Sequence, residues 1–183
     1  MTGWKDKRKV MQRYDLTAEM YEMRYAEEQK AKYKKALEVA NVADRVVLDV
    51  GCGTGLFFGQ VMKAQTVVGI DISRKLLLKA KEQARALPNV FVLLADADYL
   101  PFRGEFFDAV FAFTVLQNMP KPSATLNEFK RVAKVGGRLV VTGLKKAFPL
   151  EKFMGVLENS GLKLISFVDD EVVNCYVAVL AAA

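Results

Sequence analysis

Residues 46 to 55 read Val46-Val47-Leu48-Asp49-Val50-Gly51-Cys52-Gly53-Thr54-Gly55. Five residues that are apolar except for Asp49 run directly into three glycines within five positions, and an apolar stretch follows from Leu56. Glycine has no Cβ, so the backbone can turn sharply there and a ligand can approach it closely. The stretch therefore predicts a strand, a ligand-binding loop and a helix, as at the first strand of an α/β sheet.

The loop favours a positively charged nucleoside over two other ligands. A dinucleotide loop has the form Gly-x-Gly-x-x-Gly, and Leu56 occupies the position of its third small residue. Asp49 would repel a pyrophosphate, whereas it suits a ligand that carries a sulfonium and an ammonium group. A P-loop is excluded because the sequence contains no Gly-x-x-x-x-Gly-Lys-Ser/Thr motif.

From residue 45 onward, short β-branched runs alternate with amphipathic helical stretches, which is typical of βα units around a largely parallel sheet. A short link, Asp169-Asp170-Glu171, cannot hold a helical crossover, so the last two strands should be antiparallel. Gly136-Gly137 should form the turn into the fifth strand, and a helix opening at Pro149 should bury Leu150. The predicted strands are Val46 to Val50, Thr66 to Ile70, Val90 to Leu94, Phe107 to Phe113, Arg138 to Thr142, Lys163 to Val168 and Val173 to Leu180.

The amino-terminal part predicts a helical cap. Residues 14 to 40 carry helix-forming residues with apolar or aromatic side chains at helical spacing, and Tyr14, Ala18, Tyr21 and Tyr25 fall on one stripe. We therefore expect a single domain over residues 1–183, with a cap in 1–40 and a ligand-binding core in 45–183.

Composition excludes several kinds of site. The 183 residues include no histidine, which removes the commonest general base and the partner of a cysteine nucleophile. The two cysteines have no zinc spacing, and no apolar run is long enough to span a membrane. The amino terminus lacks the apolar segment of a secretory signal. We expect a cytoplasmic protein that holds no metal and does not bind membranes.

Five ordered segments together resemble the class I S-adenosylmethionine-dependent methyltransferases, in particular their small, single-domain, methyltransferase type 11-like group. They are Asp49–Gly55, Val67–Asp71, Leu93–Ala97, Phe107–Phe113, and Leu126–Val132 followed by Gly136–Leu139. The resemblance covers most of residues 14 to 180. It implies a Rossmann-like seven-stranded sheet, mostly parallel with an antiparallel last strand, helices on both faces and an amino-terminal helical cap. It also implies S-adenosylmethionine as cofactor, with S-adenosylhomocysteine as product.

The resemblance implies a role for each candidate site residue. Asp71 would accept from the ribose hydroxyls and Asp96 from the adenine amino group, although either acid could instead only cap a helix. The remaining candidates are the loop residues Asp49, Gly51, Cys52, Gly53, Thr54 and Gly55, the adenine neighbours Ile72 and Ala97, Phe113 and Thr114 on the methyl side, and Tyr14 and Tyr21 from the cap. Tyr25 and Tyr33 are expected only to pack the cap onto the sheet.

The acceptor is less determined, and three functions stay open. The basic cluster Lys5, Lys7, Arg8, Lys9 and Arg13 favours RNA or a translation-related macromolecule, which an open cleft would admit. A small molecule enclosed by the cap is the alternative. A cofactor-binding, non-catalytic partner subunit is the third function, and the intact loop and both acids argue against it.

The segment Val90-Phe91-Val92-Leu93-Leu94-Ala95 contains no charge and no proline. In the family's strand order this strand lies at a sheet edge, where an apolar strand needs a cover. Its own helices could suffice. Alternatively, another chain could add a strand to this edge. The resemblance implies a small zinc-binding activator protein, because several translation-related relatives pair with one along this edge. A second copy of this chain is the other candidate for the added strand.

Overall fold

The computed structural model describes residues 2–17, 21–169 and 174–182. Its centre is a seven-stranded sheet in the order β3-β2-β1-β4-β5-β7-β6, in which β7 runs antiparallel to both neighbours and the other pairs are parallel. The predicted strands, the edge position of β3 and the antiparallel last strand are confirmed. The strands are β1 (Val46–Val50), β2 (Thr66–Asp71), β3 (Val90–Leu94), β4 (Phe107–Ala112), β5 (Ala133–Leu144), β6 (Lys163–Asp169) and β7 (Cys175–Ala181).

In the described ranges, five α-helices surround the sheet: α1 (Thr2–Thr17), α2 (Tyr21–Val39), α3 (Arg74–Ala84), α4 (Pro122–Val132) and α5 (Leu150–Glu158). Short 3₁₀ turns span Phe58–Gln60 and Leu116–Asn118. None of the helices in the described residues is both long and apolar enough to cross a membrane.

Helix in the cap region of residues 1–40 extends beyond the helical pattern of residues 14 to 40, because α1 already begins at Thr2. The inward face of α1 carries Gly3, Lys7, Val10 and Tyr14, spaced three or four residues apart. This spacing is helical, but two of the four residues give no apolar signal, so hydrophobic periodicity misses the first half of the helix.

The sheet separates two layers of buried side chains. Along β5, Leu139 and Val141 pack with residues of α4 and α5, whereas Val140 packs on the opposite face with residues of α2 and α3. Successive residues of a strand point to opposite faces, so a strand covered on both sides is apolar throughout. Helices on both faces are therefore confirmed.

Three local expectations were wrong. The helix expected after the glycine loop is replaced, in the described residues between β1 and β2, by the 3₁₀ turn Phe58–Gln60. Gly136-Gly137 lies inside β5 and not before it, because Phe107 pairs with Ala133 while Ala109 pairs with Arg138, so the extra residues form a bulge. Leu150, expected to be buried, is 40% exposed. It is the first residue of α5, and a residue at a helix end has helical neighbours on one side only.

Phe58 explains why two positions near the loop are glycine. A Cβ on Gly55 would lie 2.6 Å from Cε2 of the Phe58 ring, and a Cβ on Gly69 in β2 would lie 2.6 Å from its Cζ. Gly55 also has a φ of +87°, which side chains rarely adopt. The last glycine of the loop is thus required by packing beneath the loop.

We predict that Gly69→Ala lowers the free energy of unfolding by about 1–3 kcal/mol, because the new methyl group overpacks the Phe58 ring. Urea unfolding measures this effect. Gly59→Ala is the matched control, since a Cβ there meets no heavy atom within 4 Å; its effect should stay within about 0.5 kcal/mol. Equal effects of the two substitutions would contradict the role of Phe58.

Candidate functional site

The carboxyl ends of β1, β2 and β4 meet where the strand order reverses between β1 and β4, the usual place for a ligand in an open α/β sheet. A cavity opens there, and α1 contributes Lys7, Val10 and Tyr14 to its wall. The structure brings nine of the predicted site residues to this cavity: Tyr14, Gly51, Gly53, Asp71, Ile72, Asp96, Ala97, Phe113 and Thr114.

A smaller cavity lies on the other side of Gly51 and Phe113, which line both. Its remaining lining residues are Gln29, Tyr33, Asp49, Cys52, Thr54 and Leu56. Three of these were predicted as loop residues of the site. The sixth loop candidate, Gly55, packs on Phe58 and is not among the described residues that line either cavity.

Three buried oxygen atoms around the smaller cavity have no hydrogen-bond partner among the described residues: Oδ2 of Asp49, Oγ1 of Thr54 and Oε1 of Gln29. Unpaired buried polar atoms are rare and costly in folded proteins. Burial, and secondarily the charge of Asp71, raises the pKa of Asp49 to about 8. A cation placed beside Asp49 would favour its carboxylate form and lower this pKa.

Asp71 connects the loop to the second strand. Its Oδ2 accepts from the backbone N–H of Gly53 at 3.0 Å, and its Oδ1 accepts from the N–H of Ser73 at 2.8 Å. Burial raises the pKa of Asp71, although these N–H groups oppose the shift. Asp71 thus makes the local turn that a structural role requires and also lines the cavity, where each oxygen retains a second lone pair for a ligand.

Cys52 lies with its thiol buried beneath the loop, and its N–H donates to the carbonyl of Ile70 at 2.9 Å. Burial raises the pKa of this thiol well above its ordinary value. A protonated, buried thiol is a poor nucleophile, so Cys52 contributes its backbone to the loop.

Asp96 has a partner that the sequence did not reveal. Nζ of Lys7 lies 2.6 Å and 2.7 Å from its two carboxylate oxygens and 2.5 Å from Oδ2 of Asp98. Burial alone would lower the pKa of Lys7, but the hydrogen bonds and charges of the two acids outweigh it and raise that pKa. Asp96 also accepts from the N–H of Asp98 at 3.0 Å.

Thr114 carries backbone strain at the end of β4. Its φ is +58°, which is unusual for a β-branched residue. Strained backbone conformations of this kind are concentrated at functional sites. The N–H of Thr114 donates to Oγ1 of Thr142 at 2.7 Å, and its carbonyl accepts from Nδ2 of Asn118 at 3.0 Å. The same Nδ2 lies 3.3 Å from the hydroxyl of Tyr14, so Asn118 links the strained residue to α1.

The structure also adds residues and leaves one undecided. Lys7, Val10 and Gln29 line the two cavities but were not predicted, and Tyr33, expected only to pack, lines the smaller cavity while its ring contacts Phe113. The side chain of Tyr21 lies outside the described part of the chain. Within that part, no group of three acids or cysteines is placed to hold a metal ion.

The sequence matches a family described as "Methyltransferase domain" over residues 48–141, just over half of the chain. The chain belongs to this family. The matched segment contains the loop, Asp71, Asp96 and Thr114, whereas α1 and α2 lie outside it.

Two curated relatives illustrate the range of the family. A malonyl-[acyl-carrier protein] O-methyltransferase of a Marinomonas species is 32% identical over 145 residues, which are 76% of this chain and 53% of that protein. A demethylmenaquinone methyltransferase of Tropheryma whipplei is 39% identical over 100 residues, 54% of this chain and 41% of that one. This chain therefore spans about half the length of these curated relatives.

Among solved structures, a Haloferax volcanii methyltransferase complexed with the Trm112 methyltransferase activator superposes with a TM-score of 0.81. The superposition covers 92% of this chain and 97% of that one at 17% identity. At this identity the likeness shows the shared fold, which is the Rossmann-like methyltransferase architecture.

Proposed function

We propose that this chain transfers a methyl group from S-adenosylmethionine to an acceptor bound beside Thr114. The observation that carries the proposal is the set of unpaired buried oxygens of Asp49, Thr54 and Gln29 around one cavity. The amino-acid end of the donor carries an ammonium group that could donate to such atoms. The adjoining cavity is lined by Asp71, Ile72 and Asp96, so it offers hydrogen-bond acceptors and an apolar surface that suit an adenosine.

In this proposal each residue binds or orients. Asp71 accepts from the ribose hydroxyls, Ile72 and Ala97 contact adenine, and the positive φ of Gly51 and Gly53 keeps the loop clear of side chains. When bound, the sulfonium supplies a methyl group for in-line displacement, a reaction that needs alignment and exclusion of water more than a general base. The absence of histidine from the sequence is therefore compatible with the chemistry.

Donor binding should release a proton from Asp49. At about pH 6.5 the donor's amino group is already charged, so proton release upon binding of S-adenosylhomocysteine reports the fall of the Asp49 pKa from about 8. Calorimetry in two buffers of different ionisation enthalpy measures it, and we expect micromolar affinity. Asp49→Asn keeps the shape of the side chain and should remove most of the proton release. Equal release by both proteins would contradict the assignment.

The structure shifts the balance between acceptors. The basic cluster that favoured RNA loses Lys7, whose ammonium is buried between two acids, although Lys5, Arg8 and Lys9 remain exposed. Beside Thr114 the cavity wall is largely apolar, with Val10, Val115 and Met119. We therefore propose a small, largely apolar acceptor enclosed by α1, and the name of the demethylmenaquinone methyltransferase of Tropheryma whipplei is consistent with this.

Incubation with methyl-labelled donor and a cell extract divided into metabolite, RNA and protein fractions tests this acceptor class. We expect the label in the metabolite fraction, because the wall beside Thr114 offers few charged groups to a polyanion. Asp49→Asn serves as the control for enzyme-dependent labelling. Label in RNA or protein alone would overturn the small-molecule proposal while leaving methyl transfer intact.

The edge strand β3 supports a second proposal. Phe91, Leu93 and Leu94 are 59%, 41% and 56% exposed, so the helices within the described residues do not cover them. We propose that a small zinc-binding activator protein adds to this edge, and the complex of the Haloferax volcanii neighbour with Trm112 is consistent with a partner of this kind.

Phe91→Lys should abolish a complex with an activator of the Trm112 kind, because a charge replaces an apolar contact on the added strand. The complex is measured as mass in size-exclusion chromatography with light scattering. Leu164→Lys, at a residue of β6 that is 40% exposed and lies at the opposite edge of the sheet, is the control. If the isolated protein is a homodimer and Phe91→Lys dissociates it, the edge serves self-association and not an activator. A wild-type monomer that binds no activator would contradict the proposal.

A further inference from the structure

Lys7 is one of two lysines that are buried among the described residues. It is 6% exposed, although lysine rarely occurs buried unless it is paired. Its ammonium has three protons, and the structure places three carboxylate oxygens within 2.7 Å of it: both oxygens of Asp96 and Oδ2 of Asp98. All of its donor capacity is thus used on the two acids.

This ion pair lies in the proposed adenosine cavity, whose wall includes both Lys7 and Asp96. Asp96 is the acid to which sequence analysis assigns the adenine amino group. Its Oδ1 already accepts from Lys7 and from the N–H of Asp98, and its Oδ2 accepts from Lys7. Oδ2 keeps one lone pair, so an amino group that donates to Asp96 either binds beside the ammonium or displaces it.

The ion pair is one of several contacts that hold α1 across the cavity. Oδ1 of Asp15 accepts from the hydroxyl of Ser73 at 2.5 Å and from the N–H of Lys75 at 3.3 Å, both at the start of α3. On another side, Nη2 of Arg13 donates to Oδ1 of Asn118 at 3.0 Å. These contacts, on different sides of the cavity, hold α1 as part of its wall.

We propose that Lys7 controls entry of the donor: its ammonium holds α1 closed by occupying Asp96, and the adenine amino group displaces it so that only the contact with Asp98 remains. The role of adenine rests on the proposed function, whereas the closing of α1 by Lys7 does not. Because Lys7 makes more contacts in the empty site than in the occupied one, it opposes donor binding.

Lys7→Met tests the proposal, since it keeps the length and apolar stem of the side chain and removes the charge. Hydrogen exchange of residues 2–17 in the ligand-free protein should accelerate, because α1 opens more often. The association rate of S-adenosylhomocysteine should rise about tenfold and its affinity should increase. Lys9→Met, at an exposed position of the same helix, should match the wild type in each measurement.

Unchanged α1 exchange in Lys7→Met, or weaker binding of S-adenosylhomocysteine, would overturn the proposal. If neither the wild type nor any variant binds S-adenosylhomocysteine, the proposed function is contradicted, and with it the displacement of Lys7 by adenine. This holds even if hydrogen exchange of α1 accelerates as expected.

Discussion

The arrangement of the site depends on the hydrogen bonds that the carboxylate of Asp71 accepts from two backbone N–H groups. One oxygen holds the N–H of Gly53 in the loop after β1, and the other holds the N–H of Ser73 at the start of α3. The hydroxyl of Ser73 accepts from the N–H of Leu76 and donates to Asp15 of α1. A buried acid thus joins the loop, the second strand, the third helix and the amino-terminal helix. Burial of that charge is costly, and the N–H groups that it orders offset the cost.

Asp49 shows the opposite balance. It lies near Asp71 at the end of the neighbouring strand, but one of its oxygens has no partner, and the pKa of its carboxyl group is raised to about 8. An apolar residue at this position would avoid the penalty. The protein therefore gives up stability at Asp49, Thr54 and Gln29, and such a loss is explained where a ligand supplies the missing partners.

Sequence alone predicts the parts of the fold that depend on local pattern. The β-branched runs locate all seven strands, and the spacing of Asp49, Asp71 and Asp96 locates the ends of three of them, because acids are conspicuous after apolar strands. The ion pair of Lys7 could not be predicted, since it joins residues 89 positions apart and a lysine in a basic helix is usually solvated. Gln29 and the early start of α1 are missed for the same reason: polar residues on a buried helix face give no hydrophobic period.

The edge strand and the covering helix are close in the structure. β3 ends at Leu94, and Asp96 and Asp98, which hold Lys7, follow within four residues. The ring of Tyr99, 79% exposed, lies 5.5 Å from the Lys7 ammonium and belongs to the same short segment. A chain paired with β3 would therefore contact the segment that carries the two acids. Small shifts there change the distances on which the ion pair depends, so a partner at the edge has a direct physical route to the position of α1.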